Sequence, residues 1–188
     1  PLLANIALNF LDWQLDQAGY RFVRYADDFV VLCRSNHQAE EAHSFVKRCV
    51  SDLGLTLSPE KTKIAKFRDG FVFLGFEITH RARRMREKSV EKYKTKIREV
   101  TIRSHNLDAR AVAKINSVTR GYANYFAVEF STITKQFQKL DHWTRKRIRM
   151  MKRKRISRRD NWKLKNKHIR NLGLVSLSDY VTTSSGQG

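Results

Sequence analysis

The chain has 188 residues and is rich in positive charge, with 38 Lys and Arg against 18 Asp and Glu. Its length allows one or two domains with a buried core, and its hydrophobic fraction of 41% is that of an ordinary globular protein. The sequence has no run of roughly eighteen apolar residues, which excludes a membrane-spanning helix. Its two cysteines, Cys33 and Cys49, predict reduced structural thiols and no disulfide.

The first 80 residues alternate helix and strand patterns. Apolar residues at helical spacing over 1–16 predict a helix that stops at Gly19. The β-prone residues of 21–32 predict a hairpin with Ala26-Asp27-Asp28 at its tip.

A second helix and two further strands complete this part of the chain. Ser35 or Asn36 can cap the helix. Strands are predicted over 55–57 and 71–78, and Gly75 inside the longer one indicates a bulge or a close backbone approach.

Residues after about 81 have helical periodicity alone. Three apolar stripes at helical spacing predict three helices, the second of them capped by Asp108. Mixed elements followed by helices predict an α+β fold with domains over 1–80 and 85–175 and a disordered tail over 182–188.

Asp27 and Asp28 are adjacent acids at the predicted hairpin tip. Two-residue hairpin turns favour Asn-Gly or Asp-Gly because their central residues need positive φ, so Asp-Asp is a poor choice. Two carboxylates about 4 Å apart also repel by roughly 4 kcal/mol at an effective dielectric of about 20. A bound Mg²⁺ would remove this repulsion. The alternative is that aspartates simply favour turns, and the residues alone leave both interpretations open.

The charge is divided very unevenly along the chain. Residues 1–80 hold 9 Lys+Arg and 10 Asp+Glu, a net charge of −1, whereas residues 81–188 hold 29 and 8, a net charge of +21. Such asymmetry indicates a polyanionic partner, with nucleic acid ahead of an anionic membrane surface.

One stretch of the predicted helices is especially basic. A charge run usually marks a solvated helix face, but very few acids balance this one, which favours binding to phosphate. Trp143, Trp162 and Tyr180 lie among these charges and could stack on bases or anchor the fold. The predicted phosphate-binding residues are Arg145, Lys146, Arg149, Lys152, Arg153, Arg155, Arg158 and Arg159.

Five short motifs follow one another along the chain. Together they resemble the motifs of group II intron-encoded reverse transcriptase/maturases, from residue 1 to about 173. The matching stretches are 1–6, which is similar to the segment after the family's Gln-Gly block, the Tyr-x-Asp-Asp box at 24–28, the Ser-Pro-Glu-Lys-Thr motif at 58–62, the Phe-Leu-Gly-Phe motif at 73–76, and the core of maturase domain X at 120–126.

The resemblance implies a fold and an activity. Residues 1–80 would be part of the palm of a right-hand polymerase, built from antiparallel β-hairpins with helices, and 85–175 an all-α basic thumb. The activity would be RNA-directed DNA polymerisation by two-metal nucleotidyl transfer, together with intron RNA binding and splicing. Its partners would be intron RNA, RNA template, DNA primer and deoxynucleoside triphosphate.

The resemblance also implies roles for individual residues. Asp27 and Asp28 would bind Mg²⁺, for which Mn²⁺ could substitute. Lys61 would neutralise or protonate pyrophosphate, unless it is a solvated turn lysine. The primer grip would consist of Phe73, Leu74, Gly75 and Phe76, unless these residues only form a core strand.

The family's metal site uses a further aspartate upstream of the Gln-Gly block, and its fingers also precede that block. We therefore expect an N-terminally incomplete piece that binds RNA, does not polymerise alone, and needs the missing segment in cis or in trans. The alternatives are a non-catalytic RNA-binding splicing factor and a generic basic nucleic-acid module. The expected location is the bacterial cytoplasm or an organelle, without a membrane partner.

Overall fold

A computed structural model describes residues 2–155 and 160–184. Helices and antiparallel strands are mixed, which confirms the predicted α+β class. The chain divides into two compact units, Pro1–Leu74 and Gly75–Gly188. The elements are α1 Leu2–Gln17, β1 Arg21–Tyr25, β2 Asp28–Leu32, α2 Asn36–Asp52, β3 Phe71–Phe73, β4 Phe76–Ile78, β5 Arg83–Met85, α3 Glu87–Val100, α4 Ala109–Phe126, α5 Thr134–Arg153, α6 Asp160–Lys163, α7 Asn166–Asn171 and α8 Asp179–Ser184.

The first unit is built around α1 and α2. As predicted, α1 stops at Gly19, whose positive φ of 74° reverses the chain while its N–H donates to the Asp16 carbonyl at 2.9 Å. Half-buried side chains of the β1–β2 hairpin cover the core that the two helices form. The buried members of this core are Leu11, Leu15, Val46, Cys49 and Val50.

The β1–β2 hairpin has a definite register that pairs Tyr25 with Asp28. The turn therefore contains only Ala26 and Asp27, and Asp28 is the first residue of β2, which corrects the predicted three-residue tip. Because side chains alternate along a strand, the inward face carries Phe22, Arg24, Phe29 and Val31, and the opposite face carries Arg21, Val23, Tyr25, Asp28, Val30 and Leu32.

The start of α2 follows its sequence signal. Ser35 is the N-cap, and its side chain accepts a hydrogen bond from the Gln38 N–H at 3.1 Å. Cys33 and Cys49 are free thiols, as predicted, and burial raises the pKa of both.

Two strand predictions in this unit are wrong in detail. Residues 55–57 form no regular strand, and Leu55 is exposed. The predicted strand over 71–78 is interrupted by Leu74 and Gly75, which both have positive φ, at 48° and 80°. Two positive φ values in succession are typical of a type I′ turn, so this is a turn and not a bulge.

The second unit begins with an antiparallel pair of short strands, β4 and β5. The strand β5 was missed by the sequence prediction, which read everything after about 81 as helical. Phe76 and Met85 are buried in the core of this compact unit, which begins at Gly75.

The three predicted helices α3, α4 and α5 form most of this core. Asp108 caps α4 as expected, because its carboxylate accepts the Ala111 N–H at 2.7 Å. Tyr93 is fully buried, and its hydroxyl lies 3.0 Å from the Thr144 hydroxyl, which joins α3 to α5. The fully buried apolar side chains here include Tyr93, Ile97, Ile115, Ile133, Phe137 and Met151.

Buried polar side chains attach the C-terminal segment to these helices. Asp141 of α5 accepts the N–H groups of Leu177 at 2.8 Å and Ser178 at 3.0 Å. Asn116 of α4 donates to the Gly173 carbonyl at 2.7 Å and accepts the Val175 N–H at 3.0 Å. Each partner is thereby satisfied, which burial requires.

The chain end was predicted to be disordered over 182–188. The helix α8 extends to Ser184, and residues 185–188 lie outside the described residues. Among the described helices, none combines the length and the apolarity needed to cross a bilayer.

Candidate active site and nucleic-acid interface

The acid pair lies where the β1–β2 hairpin turns. Asp27 is in the turn, and Asp28 begins β2 on the outward face, directly opposite Tyr25. Both aspartates are exposed, and Tyr25 is 67% exposed. Within the described residues, neither carboxylate has a hydrogen-bond or ion-pair partner of its own. Both are therefore available to an external ligand.

Ala26 has the unusual backbone of this turn. Its φ is +55°, in the left-handed region that costs an L-residue about 1–2 kcal/mol. Such strain persists only where the surroundings hold it, and it is concentrated at functional sites.

Arg24 is the residue that holds this turn. Its guanidinium donates to the Ala26 carbonyl at 2.9 Å, to the Asn5 side chain at 3.0 Å, and to both carboxylate oxygens of Asp12 at 2.6–3.1 Å. The hydrogen bond to Asp12 raises the pKa of Arg24, which stays charged. The turn that carries the acid pair is thereby fastened to α1.

The role of Arg24 was not predicted from the sequence. The signal is present, because Arg24 shares the inward face of the hairpin with the apolar residues Phe22 and Phe29, and a buried cation there needs a partner. Periodicity does not say which acid supplies that partner.

A groove runs beside the turn on the same unit. Its walls combine amide groups, an exposed aromatic ring and apolar surface, a composition suited to a ligand with both polar and flat apolar parts. The lining residues are Asn5, Ile6, Asn9, Arg24, Tyr25 and Ala26.

The donor set around the acid pair decides which kind of metal site it suits. The described residues hold no group of three or more His, Cys, Asp or Glu side chains that could bind a metal ion together. Mg²⁺, however, is usually bound by one or two carboxylates together with water and substrate phosphate oxygens. Asp27 and Asp28 fit that second arrangement, since both are exposed and unpaired.

Lys61 lies in the first unit but is not tied to the acid pair. It is exposed in a turn whose N–H groups at Lys61 and Thr62 donate to the Ser58 carbonyl. In the described chain, no hydrogen bond or ion pair links Lys61 to Asp27 or Asp28. Its proposed role at pyrophosphate stays a prediction.

The Phe-Leu-Gly-Phe residues differ in exposure. Phe73 and Leu74 are half-buried, whereas Phe76 is 7% exposed, and its ring lies 4.9 Å from the Phe126 ring. A side chain at Gly75 would meet the Ser89 hydroxyl at 3.4 Å and Phe126 at 3.5 Å. Packing within the second unit therefore accounts for Gly75 and Phe76, and a primer-grip role stays a prediction.

The basic run on α5 divides into exposed and buried members. Arg145 is half-buried, and Arg158 and Arg159 lie outside the described residues. The exposed basic side chains are Lys146, Lys152, Arg153 and Arg155.

Arg149 corrects the predicted phosphate-binding set. It is 7% exposed and donates to the Leu164 carbonyl at 2.9 Å and the Asn166 side chain at 2.6 Å. Its position on α5 turns it toward the C-terminal segment, so it stabilises the fold and is not free for phosphate.

The aromatic residues near these charges also differ in whether they are exposed or packed. Trp162 is 82% exposed and can stack on a base. Trp143 lies beneath Arg98 at 5.5 Å, and Tyr180 packs against the core of the second unit. Trp143 and Tyr180 therefore anchor the fold.

Known protein families match both parts of the chain. Residues 1–78 match the family described as reverse transcriptase (RNA-dependent DNA polymerase). Residues 90–171 match the group II intron, maturase-specific domain. The chain is thus of the class that joins a reverse transcriptase domain to a maturase domain. It belongs to the group II intron reverse transcriptase/maturase family, as its motifs indicated.

Two curated relatives each align with a part of the chain. It is 30% identical over 135 residues to the "Uncharacterized 91 kDa protein in cob intron" of Schizosaccharomyces pombe, covering 56% of this chain and 17% of that protein. It is 37% identical over 81 residues to "Protein YkfC" of Escherichia coli, covering 42% of this chain and 21% of that protein. The chain therefore spans about a fifth of the length of either relative.

Proposed function

We propose that this chain contributes metal-binding carboxylates and an RNA-binding surface to RNA-directed DNA synthesis and intron splicing. The first unit would be part of the palm, and the helical second unit the thumb. The observation that supports this most strongly is the unpaired acid pair on a turn fastened by Arg24, within the residues that match reverse transcriptases.

The acid pair would hold the catalytic metal. A pair of Mg²⁺ ions in such enzymes activates the attacking hydroxyl and stabilises the leaving oxygen. Asp27 and Asp28 would bind these ions together with the phosphate oxygens of the nucleotide. Arg24 would keep both carboxylates at the outward end of the hairpin by fixing the Ala26 carbonyl.

The phosphate backbone would be bound by the exposed members of the basic run, Lys146, Lys152, Arg153 and Arg155. Residues 81–188 carry a net charge of +21. Lys and Arg that neutralise phosphates release counterions, so binding weakens as salt rises. Trp162 could add sequence-tolerant stacking to this electrostatic attraction.

The experiment that separates the two roles is the substitution of both acids by amides. Asp27→Asn with Asp28→Asn should leave affinity for single-stranded RNA unchanged, as measured by fluorescence anisotropy over a salt series. The parent chain should bind Mn²⁺, as measured by electron paramagnetic resonance, and the same variant should lose this binding. A matched control is Asp16→Asn with Asp52→Asn, which removes two exposed acids elsewhere in the first unit.

Three results of these measurements would each contradict a different part of the proposal. Equal Mn²⁺ binding in the acid-pair variant and the parent would contradict the metal role and favour the non-catalytic splicing factor. Loss of RNA affinity in that variant would contradict the assignment of binding to the second unit. Magnesium-dependent primer extension by the 188-residue chain alone would show that Asp27 and Asp28 need no further carboxylate.

A further inference from the structure

A second set of arginines combines Arg147, which lies within the basic run of α5, with two arginines that lie outside that run. It is formed where the end of α3 and the loop after it run along α5. Two contacts of α5 define this region: Arg147 bonds to Thr101, and Lys154, at the C-cap of α5, donates to the His105 carbonyl. The side of α5 that carries Trp143, Arg147 and Lys154 therefore follows the loop over 101–105.

Arg147 is held in one orientation. Its Nε donates to the Thr101 hydroxyl at 3.0 Å, and a terminal nitrogen donates to the Thr101 carbonyl at 2.9 Å. Thr101 is the C-cap of α3, where unsatisfied carbonyls and the helix dipole favour a cation. The remaining N–H groups of the guanidinium have no hydrogen-bond partner among the described residues.

Arg98 and Arg103 lie close enough to this fixed arginine for their charges to act on it. Arg98 is on the last turn of α3, with its guanidinium 5.5 Å from the centre of the Trp143 ring. Trp143 is one helical turn before Arg147 on α5, so Arg98 and Arg147 emerge side by side. Arg103 is exposed, two residues past Thr101.

The charges of these residues are only weakly compensated. Burial lowers the pKa of Arg147, and the positive charges of Arg98 and Arg103 lower it further. Of the described acids, Glu91 is the one within ion-pair distance of any of the three, 3.6 Å from Arg98, and it is shared with Lys94. Three arginines so placed repel one another unless an anion joins them.

We propose that Arg98, Arg103 and Arg147 form a binding site for a backbone phosphate of RNA. The site deepens the proposed RNA-binding function and rests on it. Arg147 would present a preorganised guanidinium, so that less side-chain entropy is lost on binding. Arg98 and Arg103 would add the paired N–H groups that arginine offers to phosphate.

RNA is favoured over other anions by the surroundings of the site. It lies in the part of the chain, residues 81–188, whose net charge is +21, which suits a ligand with a phosphate at every residue. A protein carboxylate would satisfy one arginine pair but not the neighbouring charges. An anionic membrane would bind an apolar face inserted between its headgroups, whereas Arg98 covers Trp143 and a single exposed apolar side chain, Ile102, lies between Thr101 and Arg103.

The test is the salt dependence of RNA affinity in variants that retain the fold. Arg98→Gln with Arg103→Gln removes two exposed charges and leaves the bonds between Arg147 and Thr101 intact. The probe is a fluorescent single-stranded oligouridine. Losing one phosphate contact should reduce the slope of log affinity against log salt by about 0.7, or about fourfold in affinity near physiological salt.

The matched control is Lys92→Gln with Lys114→Gln. Both lysines are exposed on α3 and α4 of the same unit, and they have no partner among the described residues. The control removes the same charge and should reduce the slope by less than half as much. An equal reduction in the two pairs would overturn the site while leaving general RNA binding intact, whereas no binding by the parent chain would overturn the proposed function itself.

A chemical footprint gives an independent measurement. Phenylglyoxal should modify Arg98 and Arg103 in the free chain, and oligouridine should protect both, as mapped by mass spectrometry. Unchanged modification in the presence of saturating RNA would refute the site. Protection by phosphatidylserine vesicles but not by RNA would assign these arginines to a membrane and overturn the proposal in the same way.

Discussion

The two units of this chain differ in how they bring side chains together. The first has a small core, nearly balanced charge, and outward apolar side chains such as Leu2, Trp13 and Val23 that are each more than half exposed. The second has a larger core, a strong positive charge, and buried polar groups that attach its C-terminal segment. The candidate metal ligands thus come from adjacent residues on one turn, whereas the candidate phosphate ligands come from separate elements on a packed scaffold.

That difference has a physical reason. Two neighbouring carboxylates need only one well-fixed turn to be presented together, and Arg24 provides it. Arginines from α3, a loop and α5 meet only if the helices pack in a fixed arrangement, which a deep core supplies.

The largest expected effect is on the core of the second unit. Phe137→Ala should destabilise that unit by about 3–5 kcal/mol, because it removes a fully buried aromatic side chain. Hydrogen exchange resolved by mass spectrometry should show lost protection in α3, α4 and α5. Leu11→Ala is the counterpart in the first unit, and loss of protection in both units by Phe137→Ala would contradict the division between them.

The next effect concerns Arg24, whose side chain is 12% exposed. Arg24→Met should destabilise the first unit by about 2–3 kcal/mol, since Asp12 and the Ala26 carbonyl lose their hydrogen-bonded partner. Chemical denaturation measures this loss. A double-mutant cycle with Asp12→Asn isolates the ion pair, and additive effects would show that the pair contributes nothing of its own.

Arg149 and Lys152 are neighbours on α5 that should behave in opposite ways. Arg149→Ala should cost about 2 kcal/mol of stability because it leaves the Leu164 carbonyl and Asn166 side chain unpaired. Lys152→Ala should change stability by less than about 0.5 kcal/mol and instead reduce the salt slope of RNA binding. Thermal melts and anisotropy titrations on both variants check this, and a reversed pattern would contradict the burial of Arg149.

The smallest expected effect is at the strained turn. Ala26→Gly should relieve the left-handed backbone cost of about 1–2 kcal/mol and lose about 0.5–1 kcal/mol to the extra freedom of unfolded glycine. A net gain of about 0.5 kcal/mol should therefore appear as a small rise in Tm. Ala113→Gly, at an exposed position inside α4, is a helical control that should lower Tm, and a lower Tm for Ala26→Gly would show that Ala26 contributes packing that outweighs its strain.

Much of the fold could be predicted from local patterns. The stop of α1 at Gly19, the cap of α2 at Ser35 and the cap of α4 at Asp108 each depend on side chains and backbone within one turn. The apolar periods of α3 to α5 identified their buried faces. These predictions are correct because each feature is caused by residues within a few positions of one another.

The wrong predictions concern features that depend on contacts between residues distant in sequence. The strand predicted over 55–57 needs a partner that the fold does not provide, and β5 exists because Met85 packs into a core built from residues far along the chain. Arg149 was misassigned because its charge says nothing about which side of α5 faces the C-terminal segment. The partners of Arg24 were missed for the same reason.

The sequence by itself determined the family, the position of the acid pair and the division of charge, because each is written in adjacent residues or in composition. Only the tertiary structure decided which basic side chains face solvent, what holds the Asp27 turn, and how Arg98, Arg103 and Arg147 come together. Those outcomes depend on contacts between residues that are distant in sequence, and no local pattern contains them.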